Sequence, residues 1–166
     1  MQVKLGKKIM IVGLSGSGKT TLARKLGGTL GLPVIHLDKE FWNAGWIETP
    51  RDEWRAKQQE MIKQPEWIMD GNFGGSMEIR LAEADTVIFL DYNRFVCLYG
   101  VIKRWAVNYG KTRPDMTEGC PEKIDFAFLK WIWQYPTKWR ARDMEKIAEH
   151  KGLIIVKNRK QLNKLF

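Results

Sequence analysis

The chain has little cysteine, no hydrophobic run long enough for a bilayer, no internal repeat and no low-complexity tract. Each shortage removes a class of protein. Two cysteines in 166 residues, Cys97 and Cys120, share no C-x-x-C spacing. Neither a zinc site nor a disulfide framework is therefore expected, and the cytoplasm is the expected compartment. The longest apolar run falls far short of the ~20 residues that a spanning helix needs. The N-terminus leads straight into the first predicted strand, so neither a membrane contact nor a signal peptide is expected. Absence of a repeat removes solenoids and propellers. Also missing are a helix-turn-helix, a zinc finger and the aromatic strand of RNA-binding modules. No Asn-Lys-x-Asp guanine signature follows the fourth predicted strand, which argues against a GTPase.

Acid is scarce relative to base. The chain carries 28 Lys+Arg against 19 Asp+Glu, a formal charge of +9, which suits a polyanionic partner. Nucleotide phosphates and nucleic acid both qualify, and charge alone does not separate them. The basic residues are interspersed with acids, as in Arg51-Asp52-Glu53 and Asp143-Met144-Glu145-Lys146. A length of 166 residues sets one domain with one substantial core.

One stretch organises the rest. Gly13-Leu14-Ser15-Gly16-Ser17-Gly18-Lys19-Thr20 is a complete G-x-x-x-x-G-K-[ST]. Backbone N–H groups that converge on a polyphosphate need glycines where a Cβ would block the approach. The helix that follows turns its unpaired N–H groups and the positive end of its dipole to the same anion. Lys19 adds a full charge for the β- and γ-phosphates, and the Thr20 hydroxyl suits a Mg²⁺ shell. The context agrees, because Lys8 to Val12 reads as a buried strand and Thr21 to Leu26 as a helix.

Further on, the pattern predicts a helix from 19 to 30 with Gly31 as its left-handed stop, then a strand Val34-Ile35-His36-Leu37 tipped by Asp38. Ligands of open α/β sheets bind beyond the carboxyl ends of the strands, so Asp38 is aimed at the site. The aromatic stretch 39–47 has no clear period; its Trp42 and Trp46 are either core plugs or stacking surfaces for a substrate. Thr49-Pro50-Arg51-Asp52 predicts a helix start with Thr49 as cap. Strands are predicted at 66–70 and 86–90, each followed by an acid, Asp70 and Asp91. Either suits the water-mediated Mg²⁺ partner of a phosphate loop. Helices are predicted at 94–108, 123–135 and 138–151, the second broken by Pro136 and the third capped by Thr137, with a loop at 109–122. A fifth strand, 153–156, and a short helix from Gln161 to Phe166 close the chain. Alternating strands and helices give a parallel sheet covered on both faces.

Laid out so, the chain resembles the adenylate-kinase-like P-loop small-molecule kinases. More narrowly it is similar to the bacterial topology-modulation (FlaR-type) proteins. The stretches that carry the likeness are Gly13 to Thr20, His36 to Trp42, Gly45 to Arg51, Met69 to Phe73, Thr112-Arg113-Pro114-Asp115 and Gly119-Cys120-Pro121-Glu122. The resemblance implies a three-layer α/β fold with a five-stranded parallel sheet in order 2-3-1-4-5. It implies one domain over 1–166, with a core of 1–93 and 152–166 and a helical substrate and lid region over about 94–151. In that order strand three lies beside the phosphate loop, which makes Asp70, with Thr20, the metal pair and Asp91 the weaker choice. Implied donor-site residues are Gly13, Ser15, Gly16, Ser17, Gly18, Lys19, Thr20 and Thr21. The implied acceptor site draws on Asp38, Trp42, Arg51, Asp70, Gly71, Asn72 and Arg113.

In such kinases an acid at the place of Asp38 receives or orients the acceptor hydroxyl, and lid arginines grip the transferring phosphoryl group. Arg104, Arg113, Arg140 and Arg142 are the candidates here, with Lys19, Asp38, Arg104, Arg140 and Arg142 as the expected catalytic set. Arg140 lies four residues before Met144 and seven before Ile147, on the apolar face of its helix, and is expected to point into the cleft. The chain departs from adenylate kinases at Asp70-Gly71-Asn72-Phe73-Gly74, where those enzymes carry Asp-Gly-Phe-Pro-Arg to grip a nucleotide acceptor. The expectation is an ATP- and Mg²⁺-dependent kinase of a small acceptor, nucleotide or nucleoside-like first. The alternative is a nucleotide-binding regulator that engages DNA.

Overall fold

Strand β1 (Lys8–Gly13) sets the architecture because its side chains alternate between two cores. Ile9 and Ile11 face one cluster with Leu22, Leu26, Ile68 and Ile88. Met10 and Val12 face the other with Leu37, Trp54, Met69 and Phe89. A strand apolar on both faces belongs in the middle of a parallel sheet covered on both sides. The computed structural model describes residues 4–165 of the chain, and within them β1 is central.

The other sheet strands are β2 (Val34–His36), β5 (Trp67–Asp70), β6 (Thr86–Leu90) and β7 (Leu153–Val156). They run parallel in the order β2-β5-β1-β6-β7. Counting only these five, that is 2-3-1-4-5, with Ile11 opposite Asp70 and Gly13 opposite Leu90. The fold is the expected three-layer α/β sandwich.

Helices α1 (Lys19–Leu30), α5 (Arg94–Asn108) and α6 (Phe126–Lys138) supply the core on the Ile9 side. Helix α3 (Arg51–Met61), the 3₁₀ turn Gly74–Ser76 with α4 (Met77–Leu81), and α7 (Arg140–Ile147) supply the other. Gly31, in the left-handed conformation with φ 70°, ends α1 as predicted. The closing helix α8 spans Arg159–Leu165, and Phe166 of the predicted helix lies outside the described residues.

Five local expectations are corrected. Strand β2 stops at His36, and Asp38 lies in the first turn of the short helix α2 (Leu37–Phe41) instead of at a strand tip. The aperiodic aromatic stretch is a hairpin, β3 (Trp42–Asn43) against β4 (Ile47–Glu48), turning through Gly45 at φ 78° and Trp46 at φ 64°. Thr49 does not cap α3; its amide and hydroxyl both bond the Phe41 carbonyl and close the hairpin's base. Helix α6 runs through Pro136, because losing one backbone bond is outweighed by the burial of Ile132 and Tyr135 on the same helix. The break comes three residues later at Trp139, where φ widens to −120°. The Thr137 hydroxyl bonds back to the Gln134 carbonyl at 3.0 Å and caps nothing.

Candidate active site

The phosphate loop joins β1 to α1 at the carboxyl edge of the sheet. Gly16 sits at φ 82°, where a Cβ would come 2.0 Å from the Cys97 carbonyl oxygen of α5, so only glycine fits. Ser17 donates its amide to the Leu14 carbonyl at 3.1 Å and tightens the turn. Its hydroxyl is buried without a partner, an orphan that a phosphate oxygen would satisfy. Lys19 folds back, donating to the carbonyls of Gly13 (2.8 Å) and Leu14 (3.1 Å). Burial pushes its pKa down, while Asp38 and Asp70 oppose the shift. Thr21 is exposed on the first turn of α1, and Ser15 lines the main cleft.

The strand beside β1 brings the acid. Asp70, at the end of β5 and 5% exposed, accepts from the Thr20 hydroxyl at 2.7 Å and pairs through its other oxygen with His36 Nδ1 at the end of β2. Both oxygens are thus held, one of them against a hydroxyl of the phosphate loop. Two hard oxygen donors suit Mg²⁺, which keeps waters and substrate phosphates as its remaining ligands. Among the described residues no cluster of three or more His, Cys, Asp or Glu forms an all-protein metal cage.

The departure from Asp-Gly-Phe-Pro-Arg has a structural use. The Asn72 side-chain oxygen accepts the Gly13 amide at 2.8 Å, tying the turn after β5 to the phosphate loop. Arg80 is fully buried beneath that turn and donates to the carbonyls of Gly71 (3.0 Å) and Asn72. Burial pushes its pKa down to about 9, which still leaves it cationic at neutral pH.

Lys19, Asp38, Gly71 and Asn72 line one cavity of about 740 Å³, within the range of small-molecule sites. Trp42, Trp46, Phe73, Phe128 and Trp131 give its walls an aromatic character. Trp42 and Trp46 therefore face the cavity and are not core plugs. The Asp38 carboxylate opens onto this space. The protein around it raises its pKa by desolvation, against the pull of Lys19, Arg113 and Arg104.

The opposite wall is basic. Arg104 of α5 and Arg113 of the following loop both line the cavity. Arg104 Nε lies 2.9 Å from Glu122 Oε1, and Arg113 Nε 2.6 Å from Glu122 Oε2 as a charge contact, not an aligned hydrogen bond. Arg113 also donates to Asp115 Oδ2 at 2.6 Å, and Asp115 Oδ1 receives Arg24 of α1 at 3.1 Å. The same loop is fastened to the hairpin and to α2 before it. Gly45 donates its amide to the Gly119 carbonyl at 2.9 Å, Trp46 Nε1 to the Pro121 carbonyl at 3.2 Å, and Thr117 Oγ1 to the Lys39 carbonyl at 2.6 Å.

Three predicted site residues lie elsewhere. Arg140 does not enter this cleft; it makes a bidentate pair with Asp91, at 2.7 and 2.6 Å. Both line a second cavity of about 380 Å³ with Leu14, Tyr135 and Lys157. Its place on the apolar face was legible, but the half-exposed side chain pairs with the strand-end acid, which Arg140 also takes from the metal candidates. Arg142 is exposed, 3.9 Å from Asp143, and Arg51 is exposed at the start of α3; neither lines the cleft. Glu122, Asp115, Arg24, His36 and Arg80 were not singled out for a role in the sequence, although Arg113-x-Asp115 and Cys120-Pro121-Glu122 lie inside the stretches that carried the resemblance.

The fold is shared with P-loop small-molecule kinases of known structure. The crystal structure of a shikimate kinase from Acinetobacter baumannii in complex with shikimate superposes with a TM-score of 0.59 at 17% identity, over 95% of this chain and 88% of that one. A gluconokinase from Sinorhizobium meliloti 1021 gives 0.56 at 15% identity, over 98% and 89%. Identities this low establish a shared fold. In sequence, 47 residues are 36% identical to a shikimate kinase from Novosphingobium aromaticivorans; they cover 28% of this chain and about a quarter, 24%, of that protein. No protein-family profile matches the chain.

Proposed function

We propose that the protein is an ATP-dependent kinase of a small hydroxyl-bearing acceptor. The observation that carries this reading is one cavity lined by Lys19 and Asp38 on one side and by Arg104 and Arg113 on the other, with the Thr20–Asp70 oxygen pair at the foot of the same loop. In this reading the loop of Gly13, Ser15, Gly16, Ser17 and Gly18 cradles the donor phosphates, and Lys19 neutralises their charge. Thr20 and Asp70 would hold Mg²⁺, which when bound screens the β- and γ-phosphate oxygens. The acceptor hydroxyl gives its proton to an Asp38 oxygen while its own oxygen bonds to the γ-phosphorus. The bond from that phosphorus to the β-bridging oxygen breaks and ADP leaves. Arg104 and Arg113 balance the charge on the phosphoryl oxygens in flight.

The acceptor differs from the one first expected. Shikimate and gluconate, the substrates in the names of the proteins compared above, are hydroxylated carboxylic acids, and the Pro-Arg grip for a nucleotide acceptor is absent from this chain. A small hydroxylated acid, with its carboxylate toward the arginine wall and its carbon skeleton against the tryptophans, replaces the nucleotide-like acceptor. The comparisons lend no support to the DNA-engaging alternative, and the narrower likeness to topology-modulation proteins stays a resemblance of sequence. Among the described residues no helix is long and apolar enough to cross a membrane.

An ATP-consumption screen over hydroxy acids, sugars, nucleosides and nucleotides tests this. Stimulation by a hydroxy acid is expected; stimulation by nucleotides alone would overturn the acceptor reading.

A further inference from the structure

Two guanidiniums facing one cavity repel each other, and on long side chains they would drift apart toward solvent. Arg104 lies within α5, whose backbone fixes its Cα but not its long side chain, and Arg113 lies in an irregular loop. What they share is a single carboxylate. Glu122, its side chain only 3% exposed, reaches Arg104 Nε with one oxygen and Arg113 Nε with the other. Its own backbone is fixed, since its amide donates to the Lys111 carbonyl at 2.9 Å and it bridges to Tyr109.

The atoms engaged matter more than the pairing itself. Glu122 takes the inner nitrogen of each guanidinium. Among the described residues the terminal nitrogens of Arg104 make no hydrogen bond, and Arg113 commits one of its two to Asp115. Each arginine thus keeps at least one outer N–H group for the cavity, and these are the groups whose geometry suits phosphoryl oxygens. A buried carboxylate with no guanidinium beside it would be costly, so the ion triad is kept only while both arginines stay in place.

We propose that Glu122 is a positioning residue that holds Arg104 and Arg113 side by side with their outer nitrogens turned to the transferring phosphoryl group. This rests on the kinase reading above. Glu122 does not touch substrate; it acts through the two arginines, and Asp115 supports it by fixing the second one.

The test separates ground-state from transition-state binding. Affinity for MgADP is measured by tryptophan fluorescence, alone and with aluminium fluoride, which mimics the phosphoryl group in flight, for the wild type, Glu122→Gln, Arg104→Ala and the double variant. Glu122→Gln is expected to bind MgADP within about twofold of the wild type, and to lose about tenfold of the tightening by aluminium fluoride. Added to Arg104→Ala, it should cost little more, because the residues act as a unit. Unchanged tightening in Glu122→Gln, or a loss that multiplies fully with that of Arg104→Ala, overturns the proposal. If Glu122→Gln does not fold, Glu122→Asp, which keeps the charge but withdraws it by one methylene, carries the same reading: reduced tightening with MgADP affinity kept supports it, and unchanged tightening overturns it. A wild type that binds MgADP but gains nothing from aluminium fluoride overturns the proposal through failure of the kinase reading, a result distinct from a tightening that Glu122→Gln leaves intact.

Discussion

The floor and the roof of the cleft are built by different means. The floor is built on backbone: β1, β5 and the loop between β1 and α1 meet at the sheet's carboxyl edge, where Gly13 and Asp70 sit in the sheet ladder and the Asn72 side chain bonds the Gly13 amide. The roof is side chain: Arg104 of α5 and Arg24 of α1 join Arg113, Asp115 and Glu122 of the irregular segment between α5 and α6 in a chain of ion pairs. Strand-edge groups stand where the sheet puts them, whatever is bound. Ion-paired groups stand where their partners put them, and they can be re-set by a ligand that offers a better partner. The fixed part suits a donor common to many kinases, and the adjustable part suits the acceptor and the moving phosphoryl group.

The comparison is sharpened most by loss of the floor's charge. Lys19→Ala should lower turnover by about 10³-fold and weaken ATP binding; titration calorimetry with a coupled ADP-release assay checks both. Unchanged ATP affinity would mean that the floor does not bind the donor. Asp38→Asn should lower turnover by about 10²-fold with ATP affinity kept. Desolvation raises the Asp38 pKa above the ordinary 3.8, and the base must be ionised to take a proton. Turnover should therefore fall as pH drops through that raised value, and a pH profile of kcat should show the limb above the usual carboxylate range. The stability linkage has the opposite sign: the folded state favours the protonated carboxyl, so this contribution is full below the unfolded pKa and is lost as pH rises through the folded one.

A smaller effect separates scaffold from chemistry within the floor. Arg80→Ala leaves the Gly71 and Asn72 carbonyls without their buried donor, and should cost about 2 kcal/mol in a urea unfolding measurement. Because the Asn72 turn holds Gly13, ATP affinity should fall with it. Loss of stability without loss of affinity would show that the loop keeps its shape unaided.

The same division decides what the sequence could reveal. Donor groups are contiguous from Gly13 to Thr20, and the strands around them run apolar, so loop and strands were legible in the residues, whereas the sheet order that puts Asp70 beside the loop came from the family resemblance. The roof was legible only as a list of arginines. Which of them faces the cleft depends on carboxylates distant in sequence: Glu122 is 18 residues from Arg104, and Asp91 is 49 from Arg140. Periodicity located Arg140 on its helix's buried face and still misjudged its direction, since period says nothing of a partner on another strand. Asp38 was legible as a residue of the candidate cleft but not as a helical one, because a one-residue shift in where β2 ends leaves no mark on the apolar pattern.

Arg140 and Arg142 supply the weakest and most discriminating contrast. Arg140→Ala strands the Asp91 carboxylate, whose side chain is 14% exposed, and should cost about 1 kcal/mol. Arg142 is exposed, with only a 3.9 Å approach to Asp143, and Arg142→Ala should change stability by less than about 0.5 kcal/mol. Neither side chain lines the main cleft, so turnover in Arg142→Ala should equal the wild type in the same ADP-release assay. If it drops instead, the roof rearranges far enough on binding to draw in an arginine that now sits beside Gly74, and the ion-paired roof described here is one of two states.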